Sequence, residues 1–558
     1  MNIWRDRTKE GNPEGAITML QTAIEKQPNA AMHHKNLGDL LIARGDREGA
    51  LACFESLVKF EPSNAGAWLS LSVLYRDGGD ATKALECVQH VLALQPDNAD
   101  AWIECGVLTK RLGKPDEAVA CYRQALVCNP KAFRAWFNIA NWARDREEYS
   151  TARSLYEEAL QIDDSSAEAW NNLGYSLQQL DDGAGAMQCY HRAALLQPDL
   201  AGVYVNIGNM LKEQNAIDQA IEAYEKALRL SPEQPEAHHS LALALLANGE
   251  FARGWKEYEW RLKCRDTGGR IGVRSFPRPL WDGASLEGKR LLVYAEQGLG
   301  DTIQFSRFIP ILAHKGVRVI FACYPHLLKL LGSLNGIDSL VDITAPVFPG
   351  FDVYTALMSV PHVIGLEANM IPAEAPYLFP DPESRNIWTS VVDHQALHVG
   401  IVWKTNTANR AAVQRSLPLS ELVPLASIPG IKWHSLQIGE SSELEMEAVG
   451  QPFSFVSHPQ GVDTMEATAG LVASLDLVIS IDTSIAHLAG AMGIPVWTML
   501  PYASDWRWMI HRETTAWYPT MRLYRQDNPG DWSAVVRHIG SDLHCLSNSA
   551  DTGKEAHG

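Results

Sequence analysis

The chain of 558 residues has no basic segment to spare: 48 Lys and Arg stand against 66 Asp and Glu, a net charge of −18 shared by both halves. Nucleic acid and anionic membrane surfaces are therefore not expected partners. Long apolar runs are also missing. No stretch reaches the roughly 18 uninterrupted apolar residues of a membrane span. The opening MNIWRDRTKEGNPEG has no apolar segment after its charges, so no signal peptide is expected. Nine cysteines lie scattered, without a Cys-x-x-Cys pair or a His cluster at zinc spacing. Reduced thiols in the cytoplasm are expected, and neither a disulfide framework nor a metal centre. The length exceeds what one core serves, and about two to four domains are expected.

What is present is a period. Trp68, Trp102, Trp136, Trp170 and Tyr204 are each 34 residues apart. Small residues keep the same step (Gly38, Ser72, Gly106, Ala140, Gly174, Gly208, Ala242), as do Ala50, Ala84, Ala118, Ala152, Ala186 and Ala220. Phe54, Tyr122, Tyr156, Tyr190, Tyr224 and Tyr258 follow in phase, and Pro62, Pro96, Pro130, Pro198 and Pro232 close their units. This pattern resembles the tetratricopeptide repeat. Small residues let paired helices approach, aromatics fill the remaining volume, and proline stops the second helix. Six full units run from Ala31 to Gln234, with a truncated unit before them and a closing one after. Units that bury their apolar faces only against neighbours form a superhelix with a long concave surface.

The sixth position of the unit holds Asn36, Asn138, Asn172 and Asn206, interrupted by Ser70, Glu104 and Ser240. These asparagines are either polar helix positions or a ladder that donates to and accepts from an extended peptide. The ladder is similar to one in the repeats of eukaryotic protein O-GlcNAc transferase, which makes Asn138, Asn172 and Asn206 acceptor-binding candidates.

After the Gly-, Pro- and Arg-rich stretch 265–289 the period disappears. Short apolar runs at 290–296, 317–323, 398–404, 432–438, 476–482 and 495–500 read as buried strands. Helical stretches lie between them, one from Thr302 to His314. This alternation implies parallel sheets covered on both faces, in two Rossmann-like domains. The expected division is repeats 1–265, linker 266–289, an acceptor-side domain 290–390, a nucleotide-sugar-binding domain 391–546 and a flexible tail 547–558.

Ligands in such sheets bind beyond the strand C-termini. One loop there is Glu296–Asp301, EQGLGD, where Gly298 and Gly300 permit close backbone approach. Asp301 is either a helix cap or a general base at the cleft mouth. The other is DTSIAH, which combines hydroxyls and free N–H groups with His487 one turn inside a helix. Lys404, at a strand end, and Arg415 are the candidate cations. The aromatic segment 497–519 either packs across the domain junction or offers Trp506 or Trp508 to a sugar or base.

GLGD after the first strand and D-T-S-x-x-H-L-A-G-A after a late one resemble the heptosyltransferase-like glycosyltransferases of the GT-B fold. The fuller C-terminal run is similar to bacterial proteins that join tetratricopeptide repeats to such a domain. The resemblance implies an all-α repeat superhelix followed by an α/β GT-B fold. It makes Asp301 the catalytic base. Lys404, Asp482, Thr483, Ser484 and His487 would hold the diphosphate and sugar of the donor, and Gln437 and Thr464 would face its base and ribose. Where the family commonly has glycine after its Asp-Thr/Ser pair, this chain has Ser484 and Ile485, so donor identity does not carry over. No Asp-x-Asp triplet occurs in the second half, in keeping with a leaving group stabilised by helix N-termini and cations without a metal.

The expected function is cytoplasmic transfer of a sugar from a nucleotide-diphosphate donor, with no further cofactor, onto a protein or peptide held by the repeats. The alternatives are a glycan or lipid-linked acceptor, or a scaffold whose transferase fold is inactive.

Overall fold

The structure is a computed structural model that describes residues 13–264, 274–389, 392, 396–405, 410–437, 445–456 and 463–555. Residues 1–12 of the truncated first unit, 265 at the end of the expected repeats, 266–273 of the expected linker and 556–558 of the expected tail lie outside this set. The chain forms two compact units, Met1–Val203 and Tyr204–Gly558.

The first unit is all helix, from Pro13–Lys26 to Gly183–Leu196, in antiparallel pairs. The landmark residues explain why. Each tryptophan sends its indole N–H to a carbonyl six residues earlier, in the turn between repeats: Trp68 to Pro62 at 3.0 Å, Trp102 to Pro96 at 2.8 Å, Trp136 to Pro130 at 2.9 Å. Trp170 makes the same bond to Asp164, where the proline is missing. His34 fills the slot with an imidazole nitrogen 2.7 Å from the Pro28 carbonyl. The proline position thus supplies a carbonyl as well as a stop.

The small residues lie under the aromatic rings. A Cβ added at Gly106 would come within 2.4 Å of the Tyr122 ring, and one at Gly174 within 2.7 Å of Tyr190. Helix starts are capped by Asp46, Asn64, Asp80, Asn98, Ser166 and Asp182, each accepting an N–H of the first turn. A further position recurs with the period: Gly45, Gly79 and Gly113 end their helices with φ between 80° and 86°, and Glu147 and Asp181 follow at φ 62° and 61°. The turn within each pair requires a left-handed residue, and only some units use glycine.

The second unit begins inside the repeat array, at Tyr204. Its repeat helices end with Ile217–Leu230, Pro235–Ala247 and Phe251–Tyr258. The last two share a hydrophobic core with the α/β part through Leu246, Phe251, Trp255 and Tyr258.

Among the described residues nine strands make two all-parallel sheets. The first contains β1 (Arg290–Tyr294), β2 (Arg318–Cys323), β3 (Ile337–Asp342) and β4 (Val353–Ala356), ordered β3-β2-β1-β4. The second contains β5 (Leu397–Val402), β6 (Ile431–Ser435), β7 (Leu477–Ile481), β8 (Val496–Leu500) and β9 (Met521–Arg525), ordered β6-β5-β7-β8-β9. The order reverses between β1 and β4 in one sheet and between β5 and β7 in the other.

Several expectations change here. β3, β4 and β9 are additional strands. The helix expected over 302–314 is two helices, Leu299–Phe305 and Phe308–His314. The described part of the expected linker belongs to the first sheet: Trp281 N–H donates to the Tyr354 carbonyl at 2.8 Å, and Phe276 packs among Tyr294, Phe348, Phe351 and Tyr354. The tail expected from 547 is instead the end of a helix, Trp532–Glu555, with Ser547 bonded to the Pro429 carbonyl at 2.7 Å.

Candidate functional site

The loops leaving β1, β5 and β7, three of the four strands that flank the reversals, open into one pocket of about 430 Å³. Such reversals are where neighbouring strand-to-helix loops part and leave a crevice. Most of the residues read from the sequence meet there. Gly298, Gly300 and Asp301 line it from the first sheet; Lys404 and Gln437 line it from β5 and β6; Asp482, Thr483, Ser484 and His487 line it from β7.

Two helix starts face each other. Thr483 is the N-cap of the helix Ser484–Ala491, and its side chain makes no capping bond. Its hydroxyl instead lies 3.1 Å from Ser480 Oγ. The run Asp482-Thr483-Ser484 is thus not spent on capping. The helix Leu299–Phe305 starts at Gly298. A Cβ at Gly300 would stand 2.9 Å from His487 Cδ2 and 3.4 Å from Ser484 Cα. Glycine at 300 is what lets the two helix starts touch.

Asp301 caps its helix start, the first of the two readings of it, and is paired with an arginine besides. One carboxylate oxygen accepts the Gly298 N–H at 2.8 Å, and the other pairs with Arg507. Arg507 was not visible as a site residue in the sequence. It lies in the short helix Trp506–Trp508, donates to Gln304 and Asp505 at 2.7 Å each, and is 7% exposed. Burial works against its charge, but Asp505 and Asp301 raise its pKa above the ordinary guanidinium value.

His487 is 4% exposed, with Nδ1 3.0 Å from the Tyr518 hydroxyl and its ring stacked on Trp508. Burial, reinforced by Arg507, lowers its pKa to about 3, so the imidazole is neutral at ordinary pH. Asp482 is 5% exposed and its carboxyl is raised by burial and by Asp505.

Other placements correct the sequence reading. Lys404 pairs with Glu445 at 2.7 Å, and Trp403 Nε1 donates to the same carboxylate at 2.8 Å. Its charge is matched within the protein. Gln437 turns its side-chain oxygen to the backbone N–H groups of Trp403 and Lys404, capping β5 where exposure to a base was expected. Thr464 does not line the pocket; its hydroxyl caps the helix Met465–Val472 by accepting from Ala467 N–H at 3.1 Å. Trp506 and Trp508 are 5% and 0% exposed, and Trp506 packs against Trp255, Tyr258 and Trp517. Neither indole has a face left for a sugar.

Two of the three asparagines already make one internal bond each through Nδ2. In the first unit Asn138 Nδ2 donates to the Arg134 carbonyl at 2.8 Å, and Asn172 Nδ2 to Asn141 Oδ1 at 3.0 Å, beside the Tyr156 hydroxyl. In the second unit Asn206 is half-buried.

Behind the first loop sits a group absent from the sequence reading. Glu296 accepts from Arg261 Nη2 at 2.5 Å and Nε at 3.3 Å, with both side chains wholly buried. Next to it, Gln297 Nε2 donates to the Tyr258 hydroxyl at 2.8 Å. The aromatic landmark of the closing repeat therefore supports the loop that carries Asp301.

Comparison with known proteins places the repeats. Residues 5–64, 35–99, 110–167 and 167–200 match tetratricopeptide repeat models, and 208–249 matches a TPR repeat model. The N-terminal ~250 residues are tetratricopeptide repeats; the pocket lies outside the matched ranges. Protein FlbA of Caulobacter vibrioides is 26% identical over 331 residues, covering 55% of each chain. The chain thus spans about half the length of that relative. Solved structures include YrrB, a TPR protein with an unusual peptide-binding site (21% identity, 33% of this chain and 95% of that one, TM-score 0.29). A tetratricopeptide repeat protein from Parabacteroides merdae aligns at 20% identity over 43% of this chain and 96% of its own, TM-score 0.35. Among the described residues no helix is long and apolar enough to cross a membrane.

Proposed function

We propose that this protein is a GT-B-type glycosyltransferase that moves a sugar from a nucleotide-diphosphate sugar onto a protein or peptide recruited by its repeats. The supporting observation is the convergence of two helix starts and the Arg415 guanidinium on one pocket, at the strand-order reversal of both parallel sheets. Free N–H groups and cations suit a leaving diphosphate, and they need no metal for it. Asp301 is the proposed base: it takes the acceptor hydroxyl's proton as the oxygen attacks the anomeric carbon and the nucleoside diphosphate leaves. To do so it must loosen one of its two present contacts. Asn138, Asn172 and Asn206 are the proposed acceptor contacts, and the nine free thiols support a reducing, cytoplasmic setting.

The engagement of both Asp301 oxygens favours a second reading, a repeat scaffold that binds a nucleotide without turning it over. A panel of UDP-, GDP-, ADP- and dTDP-sugars separates the cases. At least one should raise the melting temperature, since a ligand of the folded state stabilises it, and Asp482→Ala should abolish the shift. Binding with neither transfer nor donor hydrolysis supports the second reading. No binding at millimolar concentration rejects both.

A further inference from the structure

We infer that Arg415, and not Lys404, is the side chain that holds the anionic diphosphate of the ligand. The inference rests on the donor-site reading and names the residue that does the holding. Three cations line the pocket, Lys404, Arg415 and Arg507. Two already have their charge matched by carboxylates in contact with them. The Lys404 ammonium is matched by Glu445 at 2.7 Å, a carboxylate that Trp403 Nε1 also fixes. Arg507 spends Nε on Gln304, Nη1 on Asp505 and Nη2 on Asp301.

Arg415 differs from both. Asp482 approaches its Nη1 only to 3.6 Å, beyond a hydrogen bond. Its Nε is buried and has no hydrogen-bond partner among the described residues. A buried donor left unmade is costly, and a ligand that satisfies it recovers that cost. The position is also fixed: Arg415 ends the helix Arg410–Arg415, and the next two residues tie back to the β5 loop. Thr405 N–H donates to Ser416 Oγ at 3.1 Å, and Leu417 N–H to the Trp403 carbonyl at 3.0 Å. A planar guanidinium held this way can engage two phosphate oxygens by parallel N–H bonds in a fixed geometry, which an ammonium does not offer. Ser484 and Ile485, at the start of the 484–491 helix, line the same pocket. Asp482 is the opposing charge. Its burial raises its carboxyl, which lessens the repulsion an incoming diphosphate meets.

The test is calorimetric titration of the full-length chain with UDP, GDP, ADP and dTDP and with the corresponding nucleosides. Arg415→Ala should weaken the preferred nucleoside diphosphate by about 10–100-fold, the scale of hydrogen bonds to a charged group. It should leave the nucleoside's affinity within about 3-fold, a difference of under 1 kcal/mol. Arg415→Lys should recover part of the loss, and Lys404→Ala should change either affinity by less than about 3-fold. The inference is overturned if Lys404→Ala carries an equal or larger loss. It is also overturned if Arg415→Ala weakens nucleoside and diphosphate alike, which would make Arg415 structural. If the unaltered chain binds no nucleoside diphosphate at all, the donor reading itself falls. Tight binding that Arg415→Ala leaves intact removes this inference alone.

Discussion

Arg261, from the end of the repeats, and Glu296, from the loop after β1, form a two-bond ion pair from which water is excluded. Ser359 Oγ accepts a further bond from Arg261 at 2.8 Å, and Met358 N–H donates to Glu296 at 3.2 Å. Removing one partner strands a buried charge. Arg261→Ala should therefore cost about 3–5 kcal/mol, whereas Arg261→Met combined with Glu296→Leu should cost much less. Urea unfolding of the three proteins checks this. A single variant no less stable than the double would show that the pair is not desolvated.

Glu147 holds a left-handed conformation at φ 62° where four other units have glycine (Gly45, Gly79, Gly113 and Gly249). Relief of that strain is worth about 1–2 kcal/mol and is offset in part by glycine's greater unfolded-state entropy of about 0.5–1 kcal/mol. Glu147→Gly should leave stability unchanged or raise it by up to about 1 kcal/mol, against the usual direction for glycine in helical protein. A higher denaturation midpoint is the expected result, and a fall of more than about 1 kcal/mol would contradict it.

At Gly300, alanine would press on the His487 ring. Overpacking of this kind costs about 1–3 kcal/mol. Because the strain falls on two pocket walls, Gly300→Ala should weaken nucleotide affinity by about 10-fold or more. Unchanged affinity would mean that the contact between the two helix starts has no part in binding.

His487 is held neutral in the fold, with its pKa lowered to about 3, while in the unfolded chain it titrates near 6.5. Its folded pKa is depressed, so the unfolded state binds more protons between these values. Stability is lost as pH falls from about 6.5 toward 3. Between pH 7.5 and 5.0 this one group should remove about 2 kcal/mol. The His487→Gln protein should lose less over the same interval by that amount. Equal losses would show that His487 takes up a proton in the fold.

For Asp301, replacement by asparagine preserves the shape and an oxygen able to cap Gly298. Asp301→Asn should keep nucleotide binding and lower transfer by about 10²–10⁴-fold, the scale of a general base. Lost binding with unchanged turnover per bound donor would reassign the residue to holding the donor.

The repeats were legible because each landmark recurs in phase, so no single residue had to carry the argument. Strand-end loops were legible for a related reason: an apolar run followed at once by Gly, Asp, Thr or Lys marks the C-terminal edge of a parallel sheet. β9, written MRLYR, is broken by arginine at its second and fifth residues, and β4 has only 4 residues; neither gives a continuous apolar run. What could not be read was who neutralises whom. Lys404 meets Glu445 across 41 residues and Asp301 meets Arg507 across 206. Nothing local in either segment specifies such a partner. For Trp506 and Trp508 packing and ligand contact were both open in the sequence, and the structure shows packing. An aromatic-rich loop looks like a ligand platform until the residues packed on it are known.

The indole-to-carbonyl bonds of Trp68, Trp102, Trp136 and Trp170 each span six residues, and so act as a gauge on the turns between repeats. A turn one residue longer or shorter takes the carbonyl out of reach and rotates every following helix relative to its predecessor. The array can therefore change length only in whole units. Excision of one 34-residue period should be tolerated where loss of a single turn residue is not, and a lineage of such chains should vary by counts of repeats and not by the length of any one.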